Sequence, residues 1–150
     1  MIRLANVSDV KRVFELAKEI HPHSSYAHIA IAKDKFKRLF ATMVVSQKAY
    51  VAVAEYDGEI TAVIMGVKDA VFFSHQLAAT DVLFLSKKGG GYLARRFVKW
   101  AQGDPLVVDI RVGLTSGMKG AERTGKAYEK LGLENVGGIY YADVSGGISK

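Results

Sequence analysis

The run from Asp81 to Gln102, DVLFLSKKGGGYLARRFVKWAQ, constrains this chain more than any other. An apolar stretch, Val82 to Leu85, enters a turn of two lysines and three glycines: Lys87, Lys88, Gly89, Gly90 and Gly91. A segment with Leu93, Phe97, Trp100 and Ala101 on one helical face follows. Strand, glycine turn and helix together make an anion site. Glycines let the backbone turn tightly and present its N–H groups, and a helix N-terminus adds partial positive charge. The pattern implies a phosphate or pyrophosphate ligand, and it also fits a plain strand-to-helix loop with solvated lysines. It is not a P-loop, because no Gly-Lys-Ser/Thr closes it. It is not the dinucleotide fingerprint either, because the glycines are consecutive and no βαβ unit opens the chain.

The bulk properties narrow the classes. A chain of 150 residues is long enough to bury a real core, and one domain over 1–150 is the expectation. Hydrophobic content of 49% excludes a disordered chain, yet no apolar run reaches the ~18–20 residues of a spanning helix, so no membrane partner is expected. Arg3, Asp9, Lys11 and Arg12 break any signal-peptide pattern, and a cytoplasmic location is the simplest reading. Without cysteine, neither disulfides nor a thiolate zinc site can form. The net charge of +6 favours an anionic partner. Part of that excess sits at Lys87, Lys88, Arg95, Arg96 and Lys99, which suits a phosphate-rich cofactor, with nucleic acid as the competing explanation.

Taken in order, Ile2 to Ala5 reads as a first strand, and Ser8 as the N-cap of a helix with Asp9 in its first turn. Val10, Val13, Phe14, Ala17 and Ile20 keep helical spacing until Pro22 stops them. His21 to His28, HPHSSYAH, is a polar and aromatic loop. A second helix carries Phe36, Leu39, Phe40, Met43 and Val44, with Lys33, Lys35, Lys37 and Arg38 on its solvated face. Ala49 to Tyr56 and Glu59 to Val67 are β-rich runs joined by Asp57-Gly58, a strong hairpin signal. Val71 to Phe73 is a short extra strand or a hydrophobic loop. Beyond the central run, Gly103-Asp104-Pro105 is a break and Leu106 to Val112 a strand. Thr115 to Gly120 reads as a flexible loop, and Glu122 to Leu131 as a helix closed by Gly132. Val136 to Val144 reads as a last strand before a frayed tail. The expected class is α/β (α+β), in the order β-α-α-β-β-β-α-β-α-β.

That order, with a glycine-turn helix in its middle and GKAYEKLGLENVGGIYY near its end, resembles the GNAT superfamily of N-acetyltransferases. More narrowly, HPHSSY, FVKWA and GLTSG followed by ERTGKAYEKLGL resemble small single-domain members carried by bacteriophages, whose location would be the host cytoplasm. The likeness spans essentially the whole chain, and AYEKLGL, residues 127 to 133, is its most specific part, with Leu133 standing where the family has Phe. The family's turn pattern is Arg or Gln, two residues, Gly, one residue, then Gly or Ala. Anchored at the turn, it puts Lys88 and Gly91 in place but Leu93 where Gly or Ala belongs; anchored at Trp100-Ala101, it implies a shorter turn. Both registers stay open.

The resemblance implies a mixed central β-sheet flanked by helices, whose central strand parts from the next to admit acetyl-CoA. The pyrophosphate would sit at the turn, on N–H groups from Lys88 through Gly89, Gly90 and Gly91 to Tyr92, with Lys87 beside it. The pantetheine amides would pair with the strand edge at Leu83, Phe84 and Leu85, which demands backbone rather than side chains and is compatible with a buried core strand. The implied activity is direct acetyl transfer to an amine acceptor: a small molecule, a protein or a modified nucleobase. The amine must lose its proton, the carbonyl oxygen needs a donor, and the departing sulfur needs a proton. Tyr128 matches the family's tyrosine for that last role and would also touch the cofactor, although its ring equally suits packing on a last strand. Asp81, heading the central strand, is the candidate base, with His75, Asp69, Glu122 or a water chain as alternatives. His23 and Tyr26 lie in the loop that in this family covers the acceptor pocket. Pro22 separates His21 from His23, and with His28 they lack metal-ligand spacing, so no metal is expected. A homodimer is allowed. The competing function is a basic nucleic-acid-binding module that kept the fold and lost catalysis; no recognition-helix motif or basic-aromatic interleaving supports it.

Overall fold

Two unbroken buried runs, Tyr50–Ala54 and Ile60–Met65, explain why this sheet is covered on both faces. Alternate residues go to opposite sides. Val51, Val53, Ile60, Val63 and Met65 form one core, and Tyr50, Ala52, Ala54, Ala62 and Ile64 belong to a second on the other face. The strands are β1 (Ile2–Leu4), β2 (Ala49–Tyr56), β3 (Glu59–Ala70), β4 (Leu77–Ser86) and β5 (Val107–Arg111). They lie side by side in that order, the first four antiparallel and β5 parallel to β4. The computed structural model describes residues 1–114 and 120–146.

Helices α1 (Val10–Ile20) and α2 (Lys33–Val45) cover the first face, through Val13, Leu16, Ile20, Phe40 and Met43. Helix α3 (Gly90–Gln102) covers the second, through Leu93, Phe97 and Ala101. Several residues beneath α3 are small, Ala52, Ala54, Ala62, Gly66 and Ala79, which lets it lie close. At Gly66, a Cβ would fall 2.2 Å from the Phe97 ring. Phe97 is fully buried, and burial of such a side chain contributes roughly 2–3 kcal/mol. Helix α4 (Ala121–Lys130) follows β5 and turns Tyr128 inward.

The local signals bear this out at several points. Asp57 (φ 53°) and Gly58 (φ 79°) make the tight turn between β2 and β3. Gly132 (φ 87°) ends α4, with the Gly132 and Leu133 N–H groups closing onto the Glu129 and Tyr128 carbonyls at 3.0 and 3.1 Å. Val71 to Phe73 is loop, at the tip of the β3–β4 hairpin.

Two expectations are corrected. Ser8 does not cap α1: it lies inside a 3₁₀ turn, Val7–Asp9, which is entered from Asn6. There the Asp9 carboxylate accepts the Asn6 N–H at 2.9 Å and pairs with Arg3 and Arg12 at 2.8 and 2.9 Å. The stretch Val136 to Val144 is not a strand. Gly137-Gly138 interrupts it, and local turns compete with a ladder: Asn135 Oδ1 accepts the Gly137 N–H at 3.1 Å, and Asp143 Oδ1 accepts the Ser145 N–H at 2.9 Å. Val136, Ile139, Tyr140, Tyr141 and Val144 are exposed. The expected flexible loop falls mostly on residues 115–119, and the end of the tail on 147–150, both outside the described residues.

Candidate active site

Strand β4 is paired unequally along its two edges. Its β3 edge is paired from Leu77 to Ser86. Its β5 edge is paired only from Leu77 to Thr80, against Val107 to Arg111. From Asp81 onward that edge meets no strand among the described residues, and this free edge includes Leu83, Phe84 and Leu85. The parting begins at an irregularity: Gly66 faces Asp81 and Met65 faces Leu83, so Val82 is passed over. A bulge of this kind bends a strand and disrupts its ladder.

At the far end of the free edge lies the glycine turn. Gly89 adopts φ 91°, a conformation glycine takes without strain, and serves as N-cap of α3. Gly90 has no room for a side chain, since a Cβ there would lie 2.5 Å from Ser86 Oγ; Gly91 opens on free space. Lys87 and Lys88 send their N–H groups back to the Thr61 carbonyl, at 2.8 and 3.4 Å. The N–H groups of Gly89, Gly90, Gly91 and Tyr92 meet no acceptor among the described residues. They are the orphan donors of a helix start and converge with its dipole. Of the N–H groups expected to form a cradle, that of Lys88 is already committed to Thr61. The lysine side chains are also engaged elsewhere: Lys87 Nζ pairs with Glu19 at 2.9 Å, and Lys88 Nζ lies 4.4 Å over the Tyr56 ring.

Asp81 and Tyr128 come together where the strands part. Asp81 Oδ1 accepts the Gly113 N–H at 2.9 Å, and the Tyr128 hydroxyl donates to the Gly113 carbonyl at 3.1 Å. One glycine just past β5 is therefore held from both sides. Phe84 flanks the pair, its ring centroid 6.5 Å from that of Tyr128. Burial pushes the Asp81 carboxyl above its ordinary range, the Gly113 N–H opposes this, and no cation pairs with Asp81 among the described residues. Burial and then the Asp81 charge push the Tyr128 phenol upward, so it remains a proton donor at neutral pH.

The acceptor-side residues are farther apart in character. His23 ends a 3₁₀ turn after α1, and Tyr26 is exposed in a loop tied to itself by the Ser24 hydroxyl. That loop meets the C-terminal segment through His28, stacked on Tyr141 with centroids 6.1 Å apart. The alternative bases stand outside this pair: His75 is at the β3–β4 tip, Asp69 near the end of β3 and Glu122 exposed on α4. Tyr56, Thr61, Gly113 and Tyr141 were not foreseen, because each acts through a contact between distant parts of the chain. Gly113 and Tyr141 fall in the GLTSG and GGIYY stretches, whereas nothing marked Tyr56 or Thr61.

An open depression of about 440 Å³ lies at the other end of α3, among Lys68, Trp100, Gly103, Asp104 and Pro105. Its charges are matched, with Lys68 Nζ 2.9 Å from Asp104 and 4.6 Å over the Trp100 ring. It carries none of the open chemistry of the β4–β5 gap. No group of three metal-ligating side chains occurs among the described residues. Nor is any described helix long and apolar enough to cross a membrane.

No protein-family model and no curated protein matches the sequence. Solved structures do. A possible acetyltransferase from Clostridium difficile 630 superposes with TM-score 0.67 at 16% identity, over 96% of this chain and 97% of its own. Glucosamine-6-phosphate N-acetyltransferase from Arabidopsis thaliana gives TM-score 0.67 at 16% identity, over 95% and 96%. A protein described as a predicted acetyltransferase with acetyl-CoA, from Clostridium acetobutylicum, gives TM-score 0.65 at 13% identity, over 96% of each. The parted β4 and β5, the helix start beside them and these whole-length superpositions agree: the chain has the fold of the GNAT acetyltransferases.

Proposed function

We propose that the protein transfers an acetyl group from acetyl-CoA to an amine. The observation that carries this reading is the β4 edge from Asp81 to Ser86, which meets no strand among the described residues and runs directly into N–H groups of Gly89, Gly90, Gly91 and Tyr92 that meet no acceptor among them. A ligand with amides at one end and a pyrophosphate at the other fits both. The amides can pair with the backbone at Leu83 to Leu85 as an added strand. The pyrophosphate can take the helix-start donors. The neighbours named as acetyltransferases support the same chemistry.

Bound there, acetyl-CoA supplies an activated acetyl thioester. The chain's own groups do the rest. An uncommitted β4 N–H can steady the carbonyl oxygen as negative charge gathers on it. The Asp81 carboxylate, with no cation against it among the described residues, can draw the ammonium form of the acceptor and take its proton, directly or through water. The Tyr128 hydroxyl can leave the Gly113 carbonyl and protonate the departing sulfur. The loop bearing His23 and Tyr26, with Tyr141 against His28, offers an acceptor wall. Amino sugars, as in the Arabidopsis neighbour, protein amines and modified nucleobases are the classes to try.

The test is binding followed by turnover. Acetyl-CoA at about 100 times its dissociation constant should raise stability by about 2.7 kcal/mol. Free-thiol release across the acceptor classes then identifies the amine. Absence of any shift, beside salt-sensitive DNA binding, would overturn the enzyme reading.

A further inference from the structure

We propose that Thr61 is a positioning residue for the phosphate-binding turn, setting the orientation of the Lys88–Gly89 peptide. The inference rests on the reading of that turn as the seat of the CoA pyrophosphate.

Thr61 is the residue passed over in the β2–β3 ladder, where Glu55 faces Ile60 and Ala54 faces Ala62. Released from regular pairing, its polar groups turn chiefly to the glycine turn, the hydroxyl lying closer to the Lys88 carbonyl than to that of Ala54 at 3.4 Å. The carbonyl accepts the Lys87 and Lys88 N–H groups, and the hydroxyl donates to the Lys88 carbonyl at 2.8 Å. The Thr61 side chain is buried, and the contact it makes is half-buried.

The consequence follows from peptide geometry. In a trans peptide the C=O and the following N–H point in opposite directions. With the Lys88 carbonyl held on Thr61, the Gly89 N–H must point away from the sheet, toward its neighbours at the start of α3. Rotation of that peptide would turn a carbonyl oxygen into the same space and set a negative dipole against a phosphate. The sheet side leaves the turn little slack, since a Cβ on Gly89 would lie 2.9 Å from the Ala54 Cβ. The Thr61 hydroxyl is what favours the donor-outward state.

The experiment compares wild type, Thr61→Val, Thr61→Ala and Thr61→Ser, titrated with CoA and with S-acetyl-pantetheine, which lacks the pyrophosphate. Thr61→Val should weaken CoA about tenfold, raise the acetyl-CoA KM in step, and leave kcat at saturation within about twofold. S-acetyl-pantetheine should not distinguish the variants, and Thr61→Ser should restore CoA binding. Amide exchange at Lys87 and Lys88 should quicken in Thr61→Val without any ligand present. Thr61→Ala removes the hydroxyl without the bulk of valine and takes the place of Thr61→Val if that variant melts early. If wild type binds CoA no better than S-acetyl-pantetheine, the turn is not the pyrophosphate seat and the proposal falls with it. If wild type prefers CoA and the hydroxyl-less variants bind it equally well, the turn stands and the role of Thr61 is overturned. Equal loss of both ligands would also overturn it, by showing general damage to the sheet.

Discussion

Asp9 and Asp81 are both shielded aspartates, and the protein treats them in opposite ways. Asp9, 1% exposed, is held by Arg3 and Arg12, and the Arg3 hydrogen bond is the main reason its pKa falls from 3.8 to about 2. Glu55 completes this cluster by pairing with both arginines. Among the described residues Asp81 has one backbone donor, from Gly113, and no cation, and its pKa is moved upward by burial. A fully partnered charge fixes the corner where β1, α1 and β2 meet. A poorly partnered one leaves capacity for something else, and it lies where two strands part. The difference separates a residue serving the fold from one left able to take the part that the proposed function gives it.

Removing Asp9 should have the largest effect. Asp9→Ala leaves Arg3 short of its main partner and should cost about 3 kcal/mol in urea unfolding, with turnover per folded molecule retained. Lost turnover at unchanged stability would break the comparison. The pH dependence sharpens it. The folded pKa of Asp9 lies below its ordinary value, so its stabilisation is present above pH 3.8 and disappears as pH falls toward 2, a loss of roughly 2 kcal/mol. Asp9→Asn should flatten that part of the profile. The raised Asp81 pKa works the other way: protonation favours the folded state, so Asp81→Asn should melt at or slightly above wild type at neutral pH.

The next effect is catalytic. Tyr128→Phe should lower kcat by roughly 10²-fold, while stability falls by about 1 kcal/mol through loss of the Gly113 contact. Asp81→Asn should lower turnover similarly and remove the acidic limb of the pH–rate profile. Full kcat in Tyr128→Phe, with chemistry rate-limiting, would leave water as the proton source.

A smaller effect is expected at the turn. Gly91→Asp meets no steric obstacle, and a carboxylate near a helix start favours folding. It should nevertheless weaken CoA about tenfold by repelling phosphate. Gly90→Asp is the poorer probe, because its Cβ would collide with Ser86 before charge mattered. The smallest expected change is at Tyr26→Ala: a ~2–10-fold rise in acceptor KM, with acetyl-CoA affinity unaltered. A change confined to acetyl-CoA affinity would move that loop to the other side of the cleft.

What was legible in the sequence was local. Asp57-Gly58, the apolar stripe of α3 and the Gly132 stop each announce themselves within a few residues. The glycine turn, Asp81 and Tyr128 were also readable as candidates, and Asp81 and Tyr128 do meet at Gly113. The failures are long-range or competitive. Lys87 and Lys88 read as charges beside a phosphate, and nothing local announced that their side chains also meet Glu19 and Tyr56. Val136 to Val144 has the composition of a strand, but Gly137-Gly138 interrupts it and the Asn135 and Asp143 turns compete with ladder pairing. Thr61 gave no signal, since its value lies in a hydrogen bond spanning 27 residues.

The residue passed over at Val82 also acts as a phase shift. Before it, Ala79 belongs to the α3 core; after it, Phe84 belongs to that core, while Leu83 and Leu85 pack with the opposite one. Strict alternation from Ala79 would send Leu83 and Leu85 toward α3 and Phe84 away from it. One extra residue resets the strand's parity, so that Asp81 looks toward the α3 side while the leucines two and four positions later look away. Deleting Val82 would therefore leave every side chain of β4 on its present face, because Asp81 and Leu83 already pair with successive residues of β3. What it would remove is the bend at the point where β4 parts from β5.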